Sequence, residues 1–351
     1  MHTRLAISLL LVGACVAPDD LSTVEQDNRT CPAAICGFNS PEIDHNGFHD
    51  LLKDGTPNDQ GFAITGLVKA GRVYRIEVAN GELSGTGRGL PRLAHDELVG
   101  AEIRLTHGRD SFAIRVGAVG TMSYFAPPSG SIETYVLEYG VMAYGESPTA
   151  WTNVCGGRWI PPDEVSTGPY GDLKVWGNAE TYGQRPLDSI LFDLDSIDME
   201  AKELNRVPDP NRFNIGCAGH TLSKLHLTRN TIASQGAGYA GHWEERQATL
   251  KMLTADYCGN GTAFTVAGQA LDWQGGGVTY FSPPAALEAR WTERGAACLD
   301  TPRMSQPTTP QGQYAFPNIE KAIAASCPRP PRCTDRDPFS TSGGLRVSAL
   351  R

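Results

Sequence analysis

The chain has 351 residues, enough for one large domain or two ordinary ones. Its formal net charge of −9 leaves no basic excess of the kind that nucleic-acid binding requires, so we expect no nucleic-acid partner. The 39 glycines and 24 prolines indicate many turns, and therefore a strand-rich fold with little helix.

Residues 1–14 have the pattern of an export signal. Arg4 gives a positive start, residues 5–12 form an apolar run, and two small residues precede Cys15. The run is much shorter than the roughly 20 apolar residues that cross a bilayer. The sequence of residues 12–15 resembles the lipobox of bacterial lipoproteins, which implies cleavage before Cys15 and acylation of that cysteine. Val16 then favours the outer membrane, and the alternative is an ordinary secretory signal cut near Ala17.

The other cysteines are even in number, which in an exported chain predicts a disulfide framework. They are Cys31, Cys36, Cys155, Cys217, Cys258, Cys298, Cys327 and Cys333. Cys31 with Cys36, and Cys327 with Cys333, could each close a small loop, leaving the other four to pair among themselves. Eight cysteines allow 105 pairings, so the connectivity stays open. The spacing does not favour zinc, because no C-x-x-C motif is paired with a second one.

Short strands are predicted along the first half of the chain. Residues 15–58 are expected to form a lipid-anchored tether and an irregular entry. Residues 59–147 are expected to form a β-rich module, with strands at 73–78, 100–106, 110–116 and 133–139 and a hairpin turn at Asn80-Gly81. This spacing predicts a small antiparallel sandwich or barrel.

Helices and strands mix in the second half. Residues 148–303 predict a mixed α/β, disulfide-stabilised domain with helices at 218–228 and 240–254 and strands at 262–266, 278–281 and 289–291. Residues 304–333 predict a proline-rich segment with a short helix at 319–325, and residues 334–351 a disordered tail. The predicted fold class is therefore β-rich α+β.

One motif in this second half has a family resemblance. The sequence Ala-Asp-Tyr-Cys at 255–258, followed by Gly259 and Gly261, is similar to the signature of the ADYC domain. Residues 217–220, 247–248 and 290–298 also resemble parts of that family, so the likeness covers about 155–298. The resemblance implies an exported bacterial protein, often with a lipoprotein signal, and implies no established activity.

The chain departs from the family at two positions. Family members often have cysteines where this chain has Leu225 and Thr249. Losing both together keeps the cysteine count even, which is expected if the two normally bond to each other. The resemblance therefore leaves one helix–helix bridge in doubt and not the domain.

A cysteine nucleophile is the catalytic alternative. Cys258 has His220, His226, His242 and Asp256 in the same region, so a Cys–His–Asp hydrolase site is conceivable. It would require a free thiol with a low pKa. The structural alternative is favoured, because a free Cys258 would leave another cysteine unpaired in an oxidising compartment.

Two further ligand classes were weighed. Asp188, Asp193, Asp195, Asp198 and Glu200 form an acidic cluster, and Asp193, Asp195 and Asp198 in particular could supply oxygen ligands to calcium. The cluster lacks the glycine and fixed spacing of a calcium loop, so a solvated edge is favoured. Some of the six tryptophans could stack on a glycan, although most are expected in the core.

The predicted function is a non-catalytic, lipid-anchored protein of the cell envelope or surface. It would contact the membrane through an N-terminal lipid and bind an unidentified protein or glycan. The alternative is an envelope hydrolase built around Cys258. No sequence pattern indicates a cofactor.

Overall fold

The computed structural model describes residues 41–43, 46–126, 128–143, 145–155, 188–217, 221–236, 238, 242–265, 271–275, 278–280, 286–303, 305, 319–334 and 344–350. The predicted signal peptide, Cys15, the Cys31 and Cys36 pair, and His220 lie outside these residues. Within them, every helix is too short or too polar to cross a membrane.

The described strands between residues 41 and 217 are all antiparallel. A two-stranded ribbon, β1 and β2, precedes a large sheet, and a 3-10 helix at His95–Leu98 follows β7. The strands are β1 Glu42–Ile43, β2 Asn46–Gly47, β3 Leu51–Leu52, β4 Phe62–Lys69, β5 Arg72–Ala79, β6 Glu82–Thr86, β7 Leu93–Ala94, β8 Glu102–His107, β9 Asp110–Ser123, β10 Ser131–Val141, β11 Thr152–Asn153, β12 Ser189–Leu194, β13 Ile197–Asp198, β14 Glu203–Leu204 and β15 Asp209–Cys217.

The large sheet has the order β3-β15-β12-β10-β9-β8-β4-β5-β6-β7, with β11 beside β10. The predicted strands of this region are confirmed, because their alternation is real: Tyr74, Ile76 and Val78 are buried between exposed neighbours. Asn80 and Gly81 have φ values of 54° and 82° and connect β5 to β6 in a two-residue turn, as predicted.

The sheet folds over on itself and encloses one core. Strand β5 packs across β12, and apolar side chains from β4–β7 meet those from β8–β10, β12 and β15 in one cluster. This two-layer arrangement agrees with the predicted sandwich. The described strands leave free edges at β3 and β7, so the sheet is open and the barrel alternative is not realised.

The predicted boundary at residue 147 does not divide the sheets. Strands β12 and β15 lie beyond it in sequence, yet they pair with β10 and β3 of the first sheet. Alternation could not reveal β12, because five consecutive residues, Ser189 to Asp193, are buried. Instead its aspartates suggested a solvated edge.

A second sheet follows, with the order β17-β16-β20-β18-β19. Its strands are β16 Leu271–Gly275, β17 Val278–Tyr280, β18 Ala286–Thr292, β19 Gly295–Leu299 and β20 Arg346–Leu350. The prediction of a disordered tail is wrong for β20, which is buried at the middle of this sheet. The tail was predicted from its polarity, but Arg346 and Ser348 find buried polar partners on other elements. The predicted strand at 262–266 is not formed within its described residues, 262–265.

Four helices complete the described structure: α1 Thr221–Leu227, α2 Ile232–Gln235, α3 Trp243–Thr254 and α4 Ile319–Ser326. Three of them confirm predicted helices. Helix α3 packs on α1 and β14 with one face and on β18, β19 and β20 with another, so it joins the two sheets. Leu225 and Thr249, the two departures from the family pattern, are buried on the packed helices α1 and α3.

Among the described residues three disulfides are formed: Cys155–Cys217, Cys258–Cys327 and Cys298–Cys333. The first lies within the predicted group of four. The suggested Cys327–Cys333 loop is wrong, since each of these cysteines bonds to the second sheet or the signature segment. The disulfides indicate an oxidising, exported environment.

Candidate functional site

The signature segment begins where helix α3 ends. Ala255 adopts the left-handed conformation, with φ 53°, and turns the chain away from the helix axis. The buried carboxylate of Asp256 then accepts hydrogen bonds from the Lys251 ammonium at 2.7 Å and from the Gly261 N–H at 2.9 Å. Asp256 therefore ties the turn after the helix back to the helix itself.

Tyr257 enters a buried polar cluster behind this turn. Its hydroxyl donates to Glu288 Oε1 at 2.6 Å and accepts from the Arg303 backbone N–H at 2.9 Å. The Arg303 guanidinium pairs with the same carboxylate at 2.6 Å, and Ser348 of β20 donates to Glu288 Oε2 at 2.7 Å. Burial, with the Glu288 charge beside it, raises the pKa of Tyr257, so its phenol stays protonated.

The two signature glycines are required by close backbone contacts. Gly259 has φ 70° and Gly261 has φ 92°. A Cβ on Gly259 would overlap the Arg294 carbonyl oxygen, and one on Gly261 would overlap the Glu200 carbonyl oxygen. Both positions have a left-handed backbone and leave no space for a Cβ atom, so only glycine fits.

The residues of the predicted thiol site do not assemble. Cys258 is bonded to Cys327, so it has no free thiol, and Asp256 is engaged by Lys251. His226 is fully buried against Thr231, and burial lowers its pKa to about 3. His242 lies at the start of α3, 3.9 Å from Glu245. Without a thiolate, the hydrolase alternative lacks its nucleophile.

The aspartates of the predicted calcium site have separate partners. Asp195 is buried and bonds to Arg246 and to the Ile232 N–H, whereas Asp198 accepts backbone N–H groups in its own turn. Asp193 is buried in β12. No group of three potential metal ligands occurs among the described residues. The carboxylates therefore do not converge on a common point.

Among the described residues, the large sheet has an opening at the surface between β4 and β5. Strands β4 and β5 are paired only where residues 67–69 face residues 72–74. Beyond that point β4 stays with β8 and β5 stays with β6, so the two strands separate. The resulting groove, which we call the seam, has a volume of about 360 Å³. Its lining residues are Lys53, Asp54, Gly55, Ile64, Thr65, Gly66, Val73, Tyr74, Arg75, Ile76, Thr86 and Gly87.

The seam could not be predicted from the sequence. Each of its strands has ordinary alternation, and only the register shows where the two diverge. A local signal does exist at Gly66, which has φ 152° beside the bulge between Ile64 and Gly66. A glycine within a strand pattern marks such irregularities, but not what they open.

A second surface cluster was also missed. His95 has φ 53°, and its Nδ1 lies 2.6 Å from Glu133 Oε2. The other Glu133 oxygen accepts the hydroxyl of Tyr135, which accepts the Leu83 N–H at 2.8 Å. Hydrogen bonding to Glu133 raises the pKa of His95. In the described structure the cluster is a salt bridge between the protonated imidazole and Glu133.

Comparison with known proteins gives one match. The chain matches the ADYC domain over residues 95–305, more than half of its length. It belongs to the ADYC domain family. No curated protein and no solved structure matches it.

The ADYC match begins earlier than the sequence resemblance predicted. It includes β8–β15, all three of the first helices, and the signature segment. The residues that line the seam, all within 53–87, precede residue 95 and lie outside it. The seam is therefore a feature of this chain beside its ADYC domain.

Proposed function

We propose that this ADYC protein is a non-catalytic binding protein of the cell envelope or surface, anchored by a lipid on Cys15, and that the seam is where its partner binds. The seam is the observation that carries the proposal. It is an open groove of a size that suits ligand binding, and the exposed side chain of Val73 lies in it.

The structural contacts of the signature side chains support a non-catalytic function. Asp256, Tyr257 and Cys258 are each used by a buried ion pair, a buried hydrogen bond or a disulfide. Groups held in this way stabilise the fold and do not face a substrate. The domain is thus a scaffold, and the groove beside it is available to a partner.

Site-specific photo-crosslinking in the native envelope tests the proposal. A benzophenone amino acid in place of Val73, which is 63% exposed, is expected to give a discrete covalent adduct with the partner. The matched control is Val141, which is 57% exposed and lies on β10, away from the seam. Equal adducts from both positions, or none from Val73, would contradict partner binding at the seam.

The anchor is tested in the same cells. Labelled palmitate is expected in the wild-type chain, and Cys15→Ser is expected to lose the label and leave the membrane fraction. An unlabelled, fully soluble wild-type chain would show that the segment is an ordinary secretory signal.

A further inference from the structure

The two strand edges that face the seam have backbone groups without a ladder partner. In the described sheet, β4 is unpaired on its β5 side before Leu67, and β5 is unpaired on its β4 side after Tyr74. Backbone N–H and C=O groups alternate between the two sides of a strand, so part of each edge points into the groove. An edge of this kind is a template for another strand.

One end of the seam is already occupied by the chain itself. The Lys53 ammonium donates a hydrogen bond to the Val78 carbonyl at 3.1 Å. The Asn58 N–H donates to the Phe62 carbonyl, and the Asn58 side-chain oxygen accepts a hydrogen bond from the Phe62 N–H. A Cβ on Gly55 would lie 2.7 Å from the Ile64 carbonyl oxygen, so this turn is pressed against β4. The open part is therefore bounded by Thr65 and Gly66 of β4 and by residues 75–77 of β5.

The lining of the seam favours a peptide over a glycan. Glycan sites commonly stack sugar rings on exposed aromatic faces, since these supply flat apolar surface. The one aromatic residue lining the seam is Tyr74, which is only 4% exposed and belongs to the core. Backbone edges and small residues such as Gly66 and Gly87 remain, and these suit main-chain pairing.

The charge of the seam indicates an acidic ligand. Lys53 and Arg75 line it, and the exposed residues Arg72 and Arg88 directly adjoin its lining segments. Two carboxylates offset part of this charge: Asp54 lines the seam and accepts the Thr56 N–H at 2.9 Å, and Glu77, next to the lining residue Ile76, pairs with Arg75 at 3.1 Å. This concentration of cations stands out in a chain of net charge −9. It would attract carboxylates on a partner.

We propose that the seam binds an extended, acidic peptide segment of a protein partner, which adds a strand between the separated parts of β4 and β5. The inference rests on the proposed function and names the class of its partner. Main-chain hydrogen bonds to the two edges supply affinity, and acidic side chains at the rim contact Arg75 and its neighbours.

Selection from a phage-displayed library of linear ten-residue peptides on the purified, disulfide-intact protein tests this inference. Peptides rich in Asp and Glu are expected to be enriched, and Arg75→Glu is expected to weaken their binding about tenfold or more. Arg294→Glu is the matched control, because both arginines are exposed and each lies 3.1 Å from a glutamate close in sequence, Glu77 or Glu293. Equal melting temperatures of the two variants would exclude a folding defect.

Main-chain pairing has its own readout. N-methylation of alternate peptide amides is expected to abolish binding, and bound peptide is expected to slow amide exchange in residues 65–66 and 75–77. Failure to enrich any peptide over the Arg75→Glu protein, or binding that tolerates N-methylation, would overturn the inference.

If Val73 still gives its adduct in the envelope, the proposed function stands and only the ligand class fails. Peptide binding without that adduct would instead reject the proposed function.

Discussion

Lys251 and Asp256 illustrate how the signature segment is held at the level of single residues. Both side chains are buried, and their ion pair is completed by bonds from Lys251 to the Ala201 carbonyl and from the Gly261 N–H to Asp256. A buried pair contributes little net stability, yet removing one partner costs about 3–5 kcal/mol, because it leaves a buried charge uncompensated. Such residues are constrained by the fold, whatever the protein binds.

Part of this arrangement could be predicted from the sequence. Asp256 at the helix end, Tyr257 in the core and the two glycines in a turn all follow from local chemistry. The partners of Tyr257 could not be predicted, because Glu288 and Arg303 lie 31 and 46 residues away. Their positions depend on β18 and on the segment after β19, which only the folded chain brings together.

The glycine at 259 gives a prediction at this scale. Gly259→Ala is expected to lower the free energy of unfolding by about 2–5 kcal/mol, since it adds overlap with the Arg294 carbonyl to the strain of a left-handed backbone. Gly89→Ala is the control, with φ 71° close to that of Gly259 and nothing within 4 Å of its added Cβ. It should cost about 1–2 kcal/mol from strain alone. Urea unfolding measures both, and equal losses would contradict the packing argument.

At the scale of elements, a strand could be predicted from the sequence when one of its faces is exposed to solvent. Strands with one face in water, such as β5 and β10, show the alternation that sequence analysis detects. Strands β12 and β20 are buried throughout or nearly so, and each includes polar residues whose partners are remote. The charges of Asp193 and Arg346 therefore predicted solvent exposure, whereas both side chains are buried in the structure.

The position of β20 gives the second prediction. A chain lacking residues 344–351 is expected not to assemble its second sheet, because β16 and β18 lose the strand between them and Glu288 loses Ser348. The buried Trp291, whose indole donates to Ser348 at 2.8 Å, should then become exposed. Tryptophan emission and melting temperature measure this change.

Removal of Arg351 alone is the control for that truncation. It leaves β20 intact and is expected to preserve the emission maximum and the melting temperature. A truncated chain with the same properties as this control would show that β20 is dispensable for the second sheet.

For the whole molecule, composition predicted the fold class, but it did not predict how the strands are divided between the two sheets. The chain is β-rich α+β and disulfide-bonded, as expected from its glycines, prolines and cysteines. Strands on both sides of residue 147 belong to one sheet, and no composition change records a pairing such as that of β10 with β12. The seam could not be predicted for the same reason, because a single sequence does not show the register in which strands pair.

The disulfides supply a prediction at this scale. Peptide mapping without reduction is expected to give Cys155–Cys217, Cys258–Cys327 and Cys298–Cys333, and no thiol should titrate from these six after denaturation. Replacing Cys258 and Cys327 together by Ser should cost about 2–4 kcal/mol of stability. A reactive free thiol on Cys258 would contradict the structure and restore the hydrolase alternative.

The order of strands in the second sheet also sets the order in which an exported chain can fold. Synthesis and translocation deliver β16 and β18 well before β20, yet β20 is the strand that each of them needs. Cys258 and Cys298 likewise emerge before Cys327 and Cys333, whereas Cys155 and Cys217 can already be joined. The second sheet therefore cannot be completed until β20 has emerged, and until then β16 and β18 each lack a neighbouring strand on one side.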